Sequence, residues 1–233
     1  MNAPSNPQEF WRSRLKLPVY HVADAARYAH VSGGTVRNWH KPSNKPTPLG
    51  RKDPGEALSY LQLIELAVVA SARKTGVSLS AIRRAREYCS KELKSQFPFA
   101  EYRFKTDGKE LWLDFVEIVG RSGRGKVLST SQHGQLGWTE IIGRLREFDY
   151  DRTFGVAARW HVAGRRSPII IDPRISFGAP SVEGIPTRLL RMRWEAGEPP
   201  HLLANDYDIP EPHVLQALKF EGVDDAPGAW RKS

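Results

Sequence analysis

The sequence predicts a mainly α-helical fold with a small α+β segment in its middle. Three observations carry that expectation. Residues 19–39, VYHVADAARYAHVSGGTVRNW, spell a helix, a tight turn and a second helix. Residues 57–95 hold two longer patterns with apolar residues at helical spacing. After residue 100 the hydrophobic period shortens to alternation, and three short helical patterns close the chain.

Composition bounds the problem first. Hydrophobic residues make up 40% of the 233 and charged residues 26%, which is ordinary for a chain that buries a real core. No run of 18 apolar residues occurs, so no transmembrane helix is expected. The start, MNAPSNPQEFWRSR, is polar and lacks the apolar region of a secretory signal, so a cytoplasmic location is expected. Cys89 is the sole cysteine, which leaves neither a disulfide framework nor a cysteine-based zinc site.

Charge is unevenly spread. Residues 1–100 hold 16 Lys+Arg against 7 Asp+Glu, whereas the remainder holds 19 against 19. The whole formal charge of +9 therefore lies in the first hundred residues. A basic region beside a neutral one is the electrostatic footprint of a polyanion-binding module. A membrane surface would call instead for a basic amphipathic helix with bulky apolar residues opposite. Here the basic residues are scattered over several elements, and no membrane partner is expected.

In the first helical pair, Val22, Ala25, Ala26 and Ala29 share one face. His30-Val31-Ser32 interrupts the pattern, and Ser32 suits the cap of the next helix. Residues 33–39 then offer Val36 to a core, with Gly34 in the first turn and Thr35, Arg37 and Asn38 able to face outward. A short helix opening with small residues can enter the DNA major groove, where Arg reads guanine and Asn reads adenine. The alternative is a plain helical hairpin of a core.

Residues 41–55, KPSNKPTPLGRKDPG, are too rich in Pro and Gly to be helical. Directly after a reading helix they suit the wing of a winged helix, with Lys41, Lys45, Arg51 and Lys52 meeting phosphates. The alternative is a solvated basic loop. Residues 57–74 form a helix with Leu61, Ile64, Val68 and Ala72 on one stripe, ended by Gly76. Ser78 caps another, to about residue 95, with Ile82, Ala85, Cys89 and Leu93 as its stripe. Arg83, Arg84, Arg86, Lys91 and Lys94 lie off that stripe, either as a solvated face or as a second phosphate contact.

From Glu101 onward, Tyr102-Arg103-Phe104-Lys105 alternates, Asp107-Gly108 signals a hairpin turn and residues 110–119 resume as a strand. Residues 121–137 read as a loop and 139–148 as one helix. Residues 156–162 and 167–171 give two short strands, and 172–184 an irregular connector. The closing helices fall at 187–196, which Gly197 ends, at 199–206 and at 212–221. This divides the chain into an N-terminal winged helix-turn-helix domain (1–100), an α+β middle with antiparallel hairpins (101–168), a three-helix, helix-turn-helix-like domain (169–222) and a flexible tail (223–233).

Two stretches are familiar. Residues 19–93 resemble the MerR-type winged helix: its Val-Ser turn stands as Val31-Ser32, its reading helix as Thr35-Val36-Arg37 followed by Trp39, and its later Gly-x-Ser-Leu-x-x-Ile as Gly76-Val77-Ser78-Leu79-Ser80-Ala81-Ile82. The family's Tyr-Arg-x-Tyr in the wing is absent. So is its long dimerising coiled coil, which argues against a metal- or drug-sensing regulator. Residues 170–180, IIDPRISFGAP, then Gly184-Ile185-Pro186-Thr187 and Glu195-Ala196-Gly197-Glu198, resemble the domain-of-unknown-function 433 family of VapB-type antitoxins. Its ending stands as Asp206-Tyr207 and Val214-Leu215-Gln216-Ala217-Leu218-Lys219-Phe220. The combination resembles longer antitoxins with a MerR-like front.

That resemblance implies an antitoxin of a type II toxin–antitoxin system, with a PIN-like ribonuclease toxin as partner and double-stranded operator DNA bound by a homodimer acting as autorepressor. DNA contacts would come from Ser32, Gly34, Thr35, Arg37, Asn38, Lys41, Lys45, Arg51 and Lys52. A guanidinium placed among a ribonuclease's carboxylates would block it, since a planar fork pairs with them bidentately. Arg188, Arg191 and Arg193 with Trp194 are one candidate set, and Trp230 with Arg231 in the tail the other. For each the alternative is solvated charge.

Chemistry is otherwise sparse. The seven His are dispersed, and neither HExxH, a Gly-rich phosphate loop nor a Gly-x-Ser-x-Gly elbow occurs. Asp149 with Asp151, and Asp206 with Asp208, are the tight acidic pairs, of the kind that marks turns and helix ends. No enzyme, metal or cofactor is expected. The remaining alternative is a stand-alone MerR-like regulator without a toxin.

Overall fold

The computed structural model describes residues 7–41, 48–49, 57–74, 76–101, 142–151 and 153–223. The chain divides into two compact units, residues 1–158 and 159–233. Within the described residues the first unit holds helices α1 (Pro7–Arg14), α2 (Val22–Tyr28), α3 (Gly33–His40), α4 (Tyr60–Lys74) and α5 (Leu79–Leu93), then a 3-10 turn at Pro98–Ala100.

α2 and α3 realise the expected helical pair. Ala25, Ala26 and Tyr28 of α2 and Val36, Trp39 and His40 of α3 are buried. The turn between them is tight because His30 adopts φ 54°, letting Val31 N donate back to Ala26 O at 2.9 Å. Before and after this pair the chain is clamped: Tyr20 N donates to Leu58 O at 2.9 Å and Leu58 N to Tyr20 O at 2.7 Å.

α4 departs from the one-sided helix expected of residues 57–74. Every residue from Tyr60 to Ala72 is buried, so α4 is the unit's central rod rather than an amphipathic cover. Its start is a buried capping box in which Ser59 N donates to Gln62 Oε1 at 2.8 Å and Gln62 N to Ser59 Oγ at 3.3 Å. Glu65 lies in the middle with no solvent exposure, and Arg86 of α5 donates to its Oε2 from Nε at 3.1 Å and Nη2 at 3.0 Å. Phe99 N reaches the other oxygen at 3.4 Å, and Arg86 also bonds the Gln96 carbonyl. Arg86 is thus a half-buried structural partner, not part of a solvated face. α5 begins at Ser78, whose hydroxyl accepts from Ala81 N at 3.2 Å. Burial pushes the Cys89 thiol up to about 12, which leaves it a small core residue rather than a nucleophile.

The end of the first unit corrects another expectation. Residues 142–145 are helical, but Phe148 lies in strand β1 (Phe148–Asp151), not in the helix predicted over 139–148. Phe148-Asp149-Tyr150-Asp151 alternates aromatic and acidic residues as a strand does, and it pairs with β2 (Val156–Trp160). Asp151 makes the turn, its Oδ1 accepting from Thr153 N at 2.9 Å and Phe154 N at 3.1 Å. The wing residues 42–47 and 50–56, the hairpin expected near Asp107-Gly108 and the tail beyond residue 223 lie outside the described residues.

β2 crosses into the second unit, where Trp160 and Ile171 exchange backbone hydrogen bonds at 2.9 and 2.8 Å. β3 (Ile169–Ile170), β4 (Ser181–Val182) and β5 (Ile185–Pro186) form an antiparallel sheet in that order, with Ile169 opposite Val182 and Ser181 opposite Pro186. The connector expected to be irregular at 172–184 therefore contains a 3-10 turn, Ser176–Gly178, and a strand. Glu183 and Gly184 both have positive φ, 49° and 88°, as a two-residue hairpin demands. Glu in the first turn position, where Asn or Asp is usual, hid that hairpin from the sequence.

Helices α6 (Thr187–Glu195), α7 (Pro200–Tyr207) and α8 (Glu211–Phe220) follow within a residue or so of their expected bounds. Gly197 sits at φ 98° past α6 as expected. Val182, Leu190, Leu203, Ala204, Ile209, Val214, Ala217 and Leu218 form the core, with Trp194 and Tyr207 packed against it.

Removing one partner of a buried ion pair strands the other's charge. Arg86→Met is therefore expected to cost the first unit about 3–5 kcal/mol in urea unfolding, and adding Glu65→Gln to recover most of it. An Arg86→Met chain that unfolds at the wild-type urea midpoint would remove the pair from any structural role.

Candidate functional site

In the first unit the candidate surface is the outer face of α3. Ser32 Oγ accepts from Thr35 N at 3.0 Å and lies 2.9 Å from Thr35 Oγ1, so both hydroxyls are engaged in the cap. Arg37 and Asn38 are exposed, while Val36 and Trp39 anchor the opposite side. His40 Nδ1 lies 2.9 Å from Val36 O inside the core. Arg37 folds back along the helix, its Nη1 3.7 Å from where a β-carbon on Gly33 would stand. Gly34 is half-buried, and a β-carbon there would meet Ser32 Oγ at 3.7 Å, an ordinary contact. Lys41 is exposed at the C-cap. α3 therefore gathers Ser32, Gly34, Thr35, Arg37, Asn38 and Lys41 on one short rigid element. Lys45, Arg51 and Lys52 lie outside the described residues.

In the second unit the expected contact residues of α6 separate. Arg193 donates to Glu198 through Nε at 2.8 Å and also through Nη2, and to Asp206 at 2.6 Å, with its guanidinium 5.1 Å from the Tyr207 ring. These bonds hold the Glu198 carboxyl below its ordinary range. Arg191 donates to Glu195 at 2.8 Å and to the Glu221 carbonyl at 3.1 Å. Trp194 is turned to the core. All three residues tie α6 to its own unit. Arg188 is exposed, and beside it on the same stripe Leu189 and Met192 are 37% and 59% exposed. Trp230 and Arg231 lie outside the described residues.

Sequence reasoning missed the polar groups that hold this unit together. Asp172 has no solvent exposure and accepts from Arg174 N at 2.9 Å, Arg174 Nε at 2.9 Å, Arg174 Nη2 at 2.7 Å and Arg159 Nε at 3.3 Å. Burial alone would raise its pKa. The hydrogen bonds and charge of Arg174, with Arg159, outweigh that and hold the carboxyl below its ordinary value. Thr187 Oγ1 lies 2.5 Å from Glu221 Oε1 and 3.3 Å from Pro180 O, joining both ends of the helical set. Asp172-Pro173-Arg174 was visible as a motif, but nothing local announces that Asp172 is inside.

Among the described residues no three His, Cys, Asp or Glu side chains gather as a metal site would require. No helix among them is long and apolar enough to cross a membrane.

No protein-family model matches the chain, so the MerR-like and 433-family resemblances rest on their motif residues alone. A Mycobacterium tuberculosis protein named "Putative antitoxin VapB45" is 25% identical over 230 residues, spanning 88% of this chain and 94% of its own length. The crystal structure of Rv2018 from Mycobacterium tuberculosis superposes with a TM-score of 0.71 at 21% identity, over 88% of this chain and 99% of that one. The fold is thus shared with a solved structure across both units.

A depressed carboxyl pKa contributes stability above the ordinary value near 4, lost as pH falls through the folded value. Asp172→Asn is accordingly expected to lower the melting temperature at pH 7, with the gap to wild type constant down to about pH 5 and closing below about 4. A gap that stays constant down to pH 2 would show that Asp172 is not ionised against its arginines.

Proposed function

We propose that this chain is the antitoxin of a type II toxin–antitoxin pair, binding its own operator DNA through α3 and a PIN-like ribonuclease toxin through its second unit. The observation that carries this reading is the likeness to the protein named as VapB45, because it runs through both units. The net charge of residues 1–100 and the exposed Arg37 and Asn38 on a capped helix support the DNA half. A homodimer on an inverted repeat would double the contact and match the two-fold of the site. The reading gives the chain no catalytic step and places it in the cytoplasm with its DNA.

For the toxin half, the internal pairing of Arg191 and Arg193 matters. Pulling either guanidinium into a ribonuclease's carboxylates would first break hydrogen bonds within the second unit. Arg188 is exposed beside Leu189 and Met192, so it could meet acidic side chains where apolar neighbours exclude water.

Two outcomes test the halves separately. A duplex from the chain's own upstream region is expected to be retarded on a gel. Arg37→Ala and Asn38→Ala are each expected to weaken that binding by about 1–3 kcal/mol while leaving a scrambled duplex little affected. Variants that keep both the preference and the affinity would remove α3 from base reading. Co-expression with an adjacent PIN-like reading frame is expected to yield one complex on size exclusion, which Arg188→Glu disrupts. Two separate peaks from the wild-type pair would leave a stand-alone regulator in place of an antitoxin.

A further inference from the structure

A half-open cleft of about 730 Å³ in the first unit plays no part in that reading. His30 and Thr35 line it from the α2–α3 pair, Ser71, Arg73 and Lys74 from the end of α4, and Arg144 from the helical residues 142–145. No carboxylate is among its described lining residues. Cations at the end of α4 suit the helix dipole, which by itself accounts for Arg73 and Lys74. It does not account for Arg144, which arrives from far along the chain. Arg144 Nε donates to Ser71 Oγ at 3.0 Å, and Ser71 Oγ in turn donates to Ala67 O at 3.1 Å. Glu147 holds the other arm of Arg144 at 2.6 Å. Arg73 is tied as well, Nη1 donating to Val77 O at 2.5 Å. Two guanidiniums and an ammonium are thus set around one opening, two of them fixed by bonds to α4 or the turn after it.

α3 contributes two residues to the wall of this cleft, Thr35 in its first turn and the buried Trp39 in its last. A reading helix enters the major groove by its first residues, and the sugar-phosphate backbone then runs along the flank of that turn. We infer that this cleft takes a backbone phosphate of the duplex beside the bases read by α3. The inference rests on the DNA half of the proposed function and extends it. The footprint then includes Arg73, Lys74 and Arg144, and residues beyond the expected boundary at 100 become part of the DNA-binding surface. Contacts to phosphate position a protein on DNA without reading sequence. The same phosphate chemistry is offered by a free mononucleotide, and the test separates the two.

The experiment uses the full chain, wild type and Arg73→Gln/Lys74→Gln, with the upstream duplex and a scrambled one between 50 and 200 mM salt. Arg144 is spared because its bonds to Ser71 and Glu147 make it structural. Each phosphate that is no longer neutralised flattens the slope of log affinity against log salt by about 0.9. The double variant is expected to flatten it by up to that one step and to weaken both duplexes alike, leaving their ratio unchanged. An unchanged slope in a wild type that does bind DNA overturns the cleft's role alone. An unchanged slope, with AMP raising the melting temperature of wild type and not of the variant, replaces it with a small-anion site. A wild type that retards neither duplex fails earlier, at α3, and takes the cleft with it.

Discussion

Glu65 is a carboxylate with no access to solvent in the middle of a helix buried on every side, and the first unit is arranged around satisfying it. Its partners come from two places: Arg86 on α5 and the backbone of Phe99 in the 3-10 turn. An ion pair so placed gains stability over water only when its geometry is met, and alternative packings of the same apolar surface would leave the charge unpaired. A pair so placed would favour one register of α4 against α5.

The consequence for the α3 side of the unit is rigidity. α2 packs on α4, the Tyr20–Leu58 exchange closes the chain around the helical pair, and α3 stands on Val36, Trp39 and His40. A helix only eight residues long cannot persist alone. Tertiary burial of one side is what allows Arg37 and Asn38 to be held out on the other. Preorganisation of that sort lowers the entropy lost when exposed side chains are ordered against a partner.

The second unit applies the same device with different residues. Asp172 collects two arginines at the edge of the small sheet, and Glu221 meets Thr187 where α6 begins. Arg191 and Arg193, candidate toxin contacts by the family resemblance, are absorbed into this scaffold. Exposed on α6 are Arg188, Leu189, Met192 and Glu195, a mixed apolar and charged surface closer to a protein interface than to a phosphate-binding one.

Sequence alone determined the local elements wherever the signal was local. Ser32 and Ser78 announced their caps, Gly197 its helix end, and the apolar spacing of α2 and α5 their inward faces. The outward placement of Arg37 and Asn38 followed from the same spacing. Only the tertiary structure decided which charges are inside. Glu65, Arg86 and Asp172 carry no local mark of burial, because a charged residue becomes tolerable in a core through a partner up to 34 positions away. It also decided that Phe148 extends rather than coils, and that Arg144 joins α4, since both depend on strands and side chains brought together across the chain. Periodicity reports which face of a segment is apolar. It holds no record of what that face, or the polar residues beside it, will meet.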